Sequence, residues 1–194
     1  MLVTHRKKSL NIDIGNRCTL QCSECQRTIA RSQGKSLPGS DMTLEQFDKI
    51  SNFFKGRWIY FCGTWGDPIF NPYFIDMLKM CKAKDINVNV HTAASHRPKE
   101  WYAEAFAANQ KAKWVFGIDG LPGQSHIYRK NQDGEKLFEI MKMCRSLGMS
   151  TVWQYIVFPY NKGNIETAHA LAKEIDVRFL TIYTTRNQRF LNTI

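Results

Sequence analysis

Three cysteines, Cys18, Cys22 and Cys25, lie close together in a CxxxCxxC pattern. Clustered cysteines in a chain of ordinary composition favour a metal centre over disulfides. A structural zinc ion takes four ligands, whereas a cubane iron–sulfur cluster on three cysteines keeps one iron open for another molecule. The spacing favours the cluster. The alternatives are a zinc ion with a histidine such as His91 as the fourth ligand, or three unrelated thiols.

Alternating strand-like and helix-like segments must position these cysteines. Strands are predicted at 9–14, 58–62, 86–90, 114–118, 151–158 and 178–183, and helices at 44–54, 72–81, 101–108, 135–147 and 165–175. Strands separated by helices imply right-handed βαβ units and a parallel sheet. The pattern predicts an α/β fold with a partial (β/α)6 barrel, and a doubly wound open sheet is the alternative. In both folds, ligands bind at the carboxyl ends of the strands.

Several segments resemble the radical S-adenosylmethionine (SAM) superfamily. LNIDIGNRCTLQCSEC resembles its first strand and cluster loop, and GTWGDPIFNPYF resembles the glycine-rich motif after its second strand. FGIDGL and VWQYIVFPYN resemble the ends of its fourth and fifth strands. The best match is to the branch that modifies peptides and carries a C-terminal cluster domain. Because no second cysteine cluster follows, we expect a core without that extension, either minimal or truncated.

The resemblance implies both cofactors and a reaction. A 4Fe–4S cluster on Cys18, Cys22 and Cys25 would reductively cleave SAM to a 5′-deoxyadenosyl radical, which abstracts hydrogen from a substrate. Gly66 and Asp67 lie in the motif that meets the methionine amino group of SAM in this family. The alternative for these two residues is an ordinary Gly-Asp-Pro turn.

Two further residues are predicted to contact SAM. Arg129 resembles an arginine that binds the SAM carboxylate, a group that suits the planar guanidinium; the alternative is a solvated loop arginine. Gln154 interrupts an apolar strand, so its amide needs partners, either the ribose or adenine of SAM or a neighbouring barrel residue. Four positions depart from the family pattern: Glu24 replaces an aromatic or apolar residue, Trp65 a glycine, Asp67 a glutamate and Gly117 a serine.

Other polar residues and cysteines follow strands or lie on helices. His91 and Ser95, with Thr92 between them, follow the third predicted strand and are candidates to line the pocket, with an ordinary loop role as the alternative. Cys62 ends the second strand. Two more cysteines, Cys81 and Cys144, lie on apolar helix faces, which predicts core packing.

Length, charge and hydropathy give the remaining predictions, which concern domain number, partners and location. The chain has 194 residues and a net charge of +10, with 27 Lys+Arg against 17 Asp+Glu. The length predicts one domain over 1–194. The charge favours an acidic electron donor such as a flavodoxin or ferredoxin, an acidic peptide or nucleic acid. No stretch is long and apolar enough for a membrane span, and no secretory signal precedes the first strand, so a cytoplasmic location is expected.

Two other functions stay open at this point. A basic nucleic-acid-binding protein with a structural zinc site is an alternative to the SAM enzyme, and an inactive relative that keeps the cluster is a third. A peptide is one candidate substrate, from the branch resemblance. No residue is identified as catalytic for the substrate.

Overall fold

Segments rich in β-branched and aromatic residues form the strands after the short first one, as their composition favours. The computed structural model describes residues 9–54 and 57–183. Its strands are β1 (Ser9–Asn11), β2 (Trp58–Cys62), β3 (Asn87–Thr92), β4 (Lys113–Gly117), β5 (Thr151–Val157) and β6 (Arg178–Tyr183). They form one six-stranded sheet in the order β1-β2-β3-β4-β5-β6, and every neighbouring pair is parallel.

Amphipathic segments form helices between these strands. The α-helices are α1 (Gln26–Ser32), α2 (Leu44–Ser51), α3 (Phe74–Ala83), α4 (Lys99–Ala108), α5 (Gly134–Ser146) and α6 (Ile165–Glu174). Short 3-10 helices cover Asn52–Phe54, Pro68–Phe70, Pro122–Ile127 and Lys162–Asn164. None of the helices in the described ranges has both the length and the apolar character needed to span a bilayer.

The strand order decides between the two predicted architectures. Right-handed crossovers between strands in sequential order place all the helices on one face of the sheet. Consistent with this, α2 contacts α3, α3 contacts α4, and α4 contacts α5. A doubly wound sheet needs a reversal of strand order and helices on both faces, and this sheet has no reversal. The predicted partial (β/α)6 barrel is confirmed.

An aromatic layer fixes the helices to the outer face of the sheet. Phe61, Trp114 and Trp153 project from the strands and are fully buried. The ring of Trp114 meets that of Phe106 on α4 edge-on at 4.9 Å, and the ring of Phe61 meets that of Phe74 on α3 at 5.5 Å. Edge-to-face pairs at these separations add to the stabilisation from burial. Because side chains alternate along a strand, the intervening residues face the inside of the barrel.

Local sequence signals predict the start of one helix correctly, but they misplace another and miss a third. Thr43 caps α2 as expected: Gln46 N–H donates to Thr43 Oγ1 at 3.2 Å, and Thr43 N–H donates to Gln46 Oε1 at 2.9 Å. The next helix begins at Phe74 rather than at 72, because Asn71 Oδ1 accepts the Tyr73 N–H at 2.7 Å and closes a turn first. The short helix α1 was not predicted at all.

The first strand is shorter than predicted. It ends at Asn11 instead of at 14, and one further ladder hydrogen bond runs from Ile12 N–H to the Tyr60 carbonyl at 2.9 Å. Asp13 then turns towards the loop after β2, where its Oδ1 accepts the Thr64 N–H at 2.7 Å. This contact ties the segment before the cysteines to the segment after the second strand.

Candidate functional site

The cysteine loop lies at the carboxyl end of the sheet, directly after β1. Cys18, Cys22 and Cys25 line one pocket. The loop is held by backbone contacts: Leu20 N–H donates to Cys18 Sγ at 3.4 Å, and Cys25 N–H donates to the Cys22 carbonyl at 3.1 Å. The helix α1 begins immediately after Cys25. The backbone therefore wraps so that the three thiols share one cavity, as the spacing predicts.

Burial controls the protonation of the Cys18 and Cys22 thiols. It raises the pKa of Cys18 to about 12, assisted by the nearby Asp67 carboxylate. Burial also raises the pKa of Cys22, against the lowering effect of the Arg129 guanidinium. The metal-free thiols of Cys18 and Cys22 are therefore protonated near neutral pH, and metal binding must displace those protons.

The inner face of the barrel supplies the opposite wall of the pocket. Strand alternation directs a row of side chains inwards at the carboxyl ends of β2 to β5: Cys62, His91, Val115, Gly117 and Gln154. Strand register places them side by side, with Cys62 opposite His91, His91 opposite Val115, and Gly117 opposite Gln154. Alternation from the buried Ile59 and Phe61 is the sequence signal that assigns Cys62 to this wall. Sequence analysis gave Cys62 no role there.

The turn after β2 packs its backbone against the cysteine loop. A Cβ at Gly66 would lie 2.5 Å from the Gly15 carbonyl oxygen and 2.8 Å from the Arg17 nitrogen. Asp67 N–H donates to the Arg17 carbonyl at 2.9 Å. Gly66 lines the predicted pocket, and its missing side chain allows two loops to approach within backbone contact.

Asp67 lines the same pocket, but donors of the protein itself bind its carboxylate. Its oxygens accept the Thr92 hydroxyl at 2.9 and 3.0 Å and the N–H groups of Ala93 and Ala94 at 2.9 and 3.0 Å. Ile69 N–H adds a weaker contact at 3.3 Å. Burial raises the pKa of Asp67, and these donors counteract part of that effect. The carboxylate thus joins the turn after β2 to the end of β3.

The Arg129 side chain is buried against Asp119 in the same pocket. Its Nε lies 2.7 Å from Asp119 Oδ2, and the two side chains are 11% and 0% exposed. Asp119 Oδ1 also accepts the Ile156 N–H at 2.7 Å. Burial lowers the pKa of Arg129, but the Asp119 carboxylate outweighs this effect, so the pKa is raised overall. This arginine is therefore a fixed cation beside the cysteine loop and not a solvated loop residue.

The absence of a side chain at Gly117 leaves space for the Arg129 guanidinium. A Cβ there would lie 2.8 Å from Arg129 Nη2 and 3.1 Å from its Cζ. The guanidinium thus lies over the end of β4, where the family pattern has a serine. The substitution that looked like a lost hydroxyl in the sequence is, in the structure, room for the arginine.

His91 and Gln154 lie beside each other on the inner wall. Burial, together with Lys113, lowers the pKa of His91 to about 4, so the ring is neutral near pH 7. Its Nε2 is enclosed and has no hydrogen-bond partner within the described residues. Gln154 is half-buried and lines the pocket, and its contact with SAM stays a prediction. Ser95 has another role, because its hydroxyl accepts the Asp133 N–H at 2.8 Å before α5.

Further polar residues that the sequence did not identify shape the site. Gln132 Nε2 donates to the carbonyls of Ala93 at 2.5 Å and Gly117 at 2.8 Å, and so bridges the ends of β3 and β4. Arg27 on α1 lines the pocket and is 3% exposed. A charged residue directly after the cysteine motif was the only signal for Arg27, and nothing in the sequence distinguishes a buried guanidinium from an exposed one.

The three cysteine thiols of the pocket suit an iron–sulfur cluster better than a single metal ion. Within residues 9–54 and 57–183, no three or more His, Cys, Asp or Glu side chains are spaced to hold a single metal ion. In a cubane cluster, each cysteine binds a different iron. Three cysteine thiols converge on one cavity together with two buried cations, Arg27 and Arg129, and such a set suits a cluster whose three thiolate ligands are anionic.

Comparisons with known proteins agree with this geometry. The Radical SAM superfamily model matches residues 12–172. No curated protein sequence gives a significant match. Among solved structures, Streptococcus suis SuiB superposes with a TM-score of 0.73 at 14% identity, over 91% of this chain and 40% of SuiB.

Two further structures share the fold. Native anSMEcpe with bound AdoMet gives a TM-score of 0.68 at 17% identity, over 90% of this chain and 51% of that protein. Methylornithine synthase (PylB) gives 0.61 at 11% identity, over 89% and 52%. The chain thus spans about half, or less, of the length of these proteins. With the family match covering most of its length and the cysteine loop at the carboxyl end of a parallel partial barrel, the chain belongs to the radical SAM superfamily.

Proposed function

We propose that this chain is the core of a radical SAM enzyme. Its bound 4Fe–4S cluster would reductively cleave SAM to a 5′-deoxyadenosyl radical, which abstracts hydrogen from a substrate. The observation that carries the proposal is the convergence of Cys18, Cys22 and Cys25 on one pocket at the carboxyl ends of the strands. In a parallel barrel, this is the edge at which ligands bind.

We expect different pocket residues to bind different groups of SAM. The Nε of Arg129 is paired with Asp119. The remaining N–H groups of its guanidinium suit the SAM carboxylate. Gly66 and the backbone carbonyls of its turn suit the methionine ammonium, which needs acceptors. Gln154 reaches the same cavity from β5 and offers an amide for the ribose or adenine. All of these contacts are predictions.

Anaerobic reconstitution tests the proposal. We expect iron and sulfide in the ratio of a 4Fe–4S cluster, and 5′-deoxyadenosine from SAM and a reductant. Replacing Cys18, Cys22 or Cys25 with alanine should abolish both signals. Cys62→Ala is the matched control, because Cys62 lines the same pocket outside the motif and its loss should leave the iron content unchanged. Stoichiometric zinc with no deoxyadenosine would contradict the proposal and favour the zinc alternative.

A peptide is the substrate class we propose. One structure in the comparison is SuiB bound to the precursor peptide SuiA, which superposes with a TM-score of 0.71 at 15% identity, over 92% of this chain and 39% of SuiB. We expect deuterium from a labelled peptide substrate to appear in 5′-deoxyadenosine. Deoxyadenosine that stays unlabelled with every peptide, while turnover proceeds with a small molecule, would contradict this assignment.

An acidic flavodoxin or ferredoxin is the proposed electron donor. The net charge of +10 supports it, because complementary charge accelerates association. We expect the rate of cluster reduction by such a donor to fall as the salt concentration rises. A rate independent of salt would contradict electrostatic pairing. A cytoplasmic location stays a prediction.

A further inference from the structure

Two buried guanidinium groups border the cysteine loop, and among the described residues only Arg129 has a carboxylate counter-ion. Arg129 is paired with Asp119 at 2.7 Å. Arg27 is 3% exposed and lines the same pocket, yet in the part of the chain that the structure describes it forms no ion pair. Burial of an unpaired charge is costly. The position of Arg27 therefore points to an anion that binds in the pocket.

The contacts of Arg27 direct it to the thiol side of the pocket. Its Nη2 donates to the Leu20 carbonyl, inside the cysteine loop. The N–H of the same Leu20 donates to Cys18 Sγ at 3.4 Å. The Arg27 charge also acts on both Cys18 and Cys22. Arg27 thus holds the loop by one nitrogen and places a positive charge next to two of the three proposed iron ligands.

We propose that Arg27 is the fixed counter-charge of the cluster and makes its one-electron reduction easier. This inference rests on the proposed function. Three thiolates give the bound cluster a negative charge, and one electron from the flavodoxin or ferredoxin donor adds another without forming or breaking a bond. A buried cation stabilises the reduced form more than the oxidised form. Net charge near a cluster is one of the factors that set its reduction potential.

The test measures the midpoint potentials of reconstituted variants without SAM, where the shifts described below are expected, and repeats each measurement with SAM. Arg27→Gln keeps a hydrogen-bond donor for Leu20 and removes the charge, whereas Arg27→Lys keeps the charge. Arg31→Gln is the control, because Arg31 lies on the same helix and is exposed. We expect Arg27→Gln to shift the potential to a more negative value. Arg27→Lys should recover most of that shift, and Arg31→Gln should leave the potential unchanged, because water and salt screen exposed charges.

The results distinguish an effect of the Arg27 charge on the cluster from a contact with SAM and from a purely structural role. An Arg27→Gln variant with full iron content and the wild-type potential overturns the proposal. So does a shift that appears only with SAM, which would assign Arg27 to the SAM carboxylate. If Arg27→Gln fails to hold iron, Arg27→Lys decides: wild-type iron content and potential support the charge, whereas a loss of iron or a fully shifted potential shows a structural role. Wild-type protein that holds no cluster contradicts the proposed function itself.

Discussion

At the scale of single residues, the site is built from charges removed from water. Arg129 and Asp119 are both buried, and Arg27 lies nearby without a carboxylate partner in the described chain. Such groups persist only where partners or ligands compensate them. The cluster loop therefore lies in an electrostatic environment that the fold prepares, and individual charges in it should have measurable effects on stability.

Asp119→Asn should cost about 3–5 kcal/mol of unfolding free energy. Asparagine has the same shape and can keep the acceptor for Ile156 N–H, but it leaves the guanidinium of Arg129 buried without a counter-ion. Urea unfolding of the cluster-free chain measures the change. The control is Asp176→Asn, which breaks the exposed pair with Arg145 and should cost less than about 1 kcal/mol. Equal losses of unfolding free energy in the two variants would contradict the assignment of Asp119 as the buried counter-ion of Arg129.

His91 should make the cluster-free fold sensitive to acid. Its pKa is lowered from 6.5 to about 4 in the folded state, so between those values the unfolded chain binds more protons. Stability is then fully present above pH 6.5 and is lost as the pH falls towards 4. At about 1.36 kcal/mol per pKa unit, the shift from 6.5 to about 4 amounts to at most about 3.4 kcal/mol of unfolding free energy.

The substitution His91→Gln should remove that part of the pH dependence. Urea unfolding between pH 7 and pH 4 checks it (about 25 °C, constant salt). His126→Gln is the control because His126 is exposed, and the pH profile of this variant should match wild type. A His91→Gln variant that loses stability with acid as steeply as wild type would show that other groups dominate.

At the scale of elements, short loops after the strands bring the site together. The turn after β2 contacts the cysteine loop through Gly66 and Asp67, and the Asp67 carboxylate continues that connection to the end of β3. Gln132 then bridges β3 and β4. Each loop is therefore positioned by its neighbours, and a change in one should alter the cysteine loop.

Gly66→Ala should destabilise the chain by about 1–3 kcal/mol, as overpacking does, and lower iron incorporation. The added Cβ meets backbone atoms of Gly15 and Arg17, which cannot move without displacing the cysteine loop. Iron per chain after reconstitution and the urea midpoint are the measurements. Gly163→Ala is the control, since nothing lies within 4 Å of a Cβ there. A Gly66→Ala variant with wild-type iron content would show that the loop can adapt.

At the scale of the whole molecule, one sheet joins β1 to β6, and one aromatic layer covers its outer face. We therefore predict that 1–194 unfolds as a single domain. Far-UV circular dichroism and tryptophan fluorescence of the cluster-free chain should give coincident urea transitions. The tryptophans report from several strands, including Trp58 on β2, Trp114 on β4 and Trp153 on β5. Separate transitions would indicate more than one folding unit.

Periodicity predicts most of the fold because helix and strand periods follow from backbone geometry. The strands β2 and β6 have the predicted bounds, and the Thr43 capping box forms as expected. The misses occur where a tertiary contact overrides the local pattern. Asp13 draws the chain away from β1 towards the next loop, and α1 follows a loop whose shape depends on the cysteines.

The sequence by itself determined the cysteine motif, the alternation of strands and helices that gives a parallel sheet, and the sheet edge at which ligands bind. These follow from spacing, periodicity and the direction of parallel strands, whereas Gly66, Asp67 and Arg129 were identified by resemblance to the family. The strand order of the structure then selected the partial barrel over a doubly wound sheet. Only the tertiary structure decided that Asp67 binds the protein's own donors, that Gly117 makes room for Arg129 and that Arg27 is buried without a counter-ion in the described chain. Burial and pairing depend on residues distant in sequence, so no local pattern encodes them.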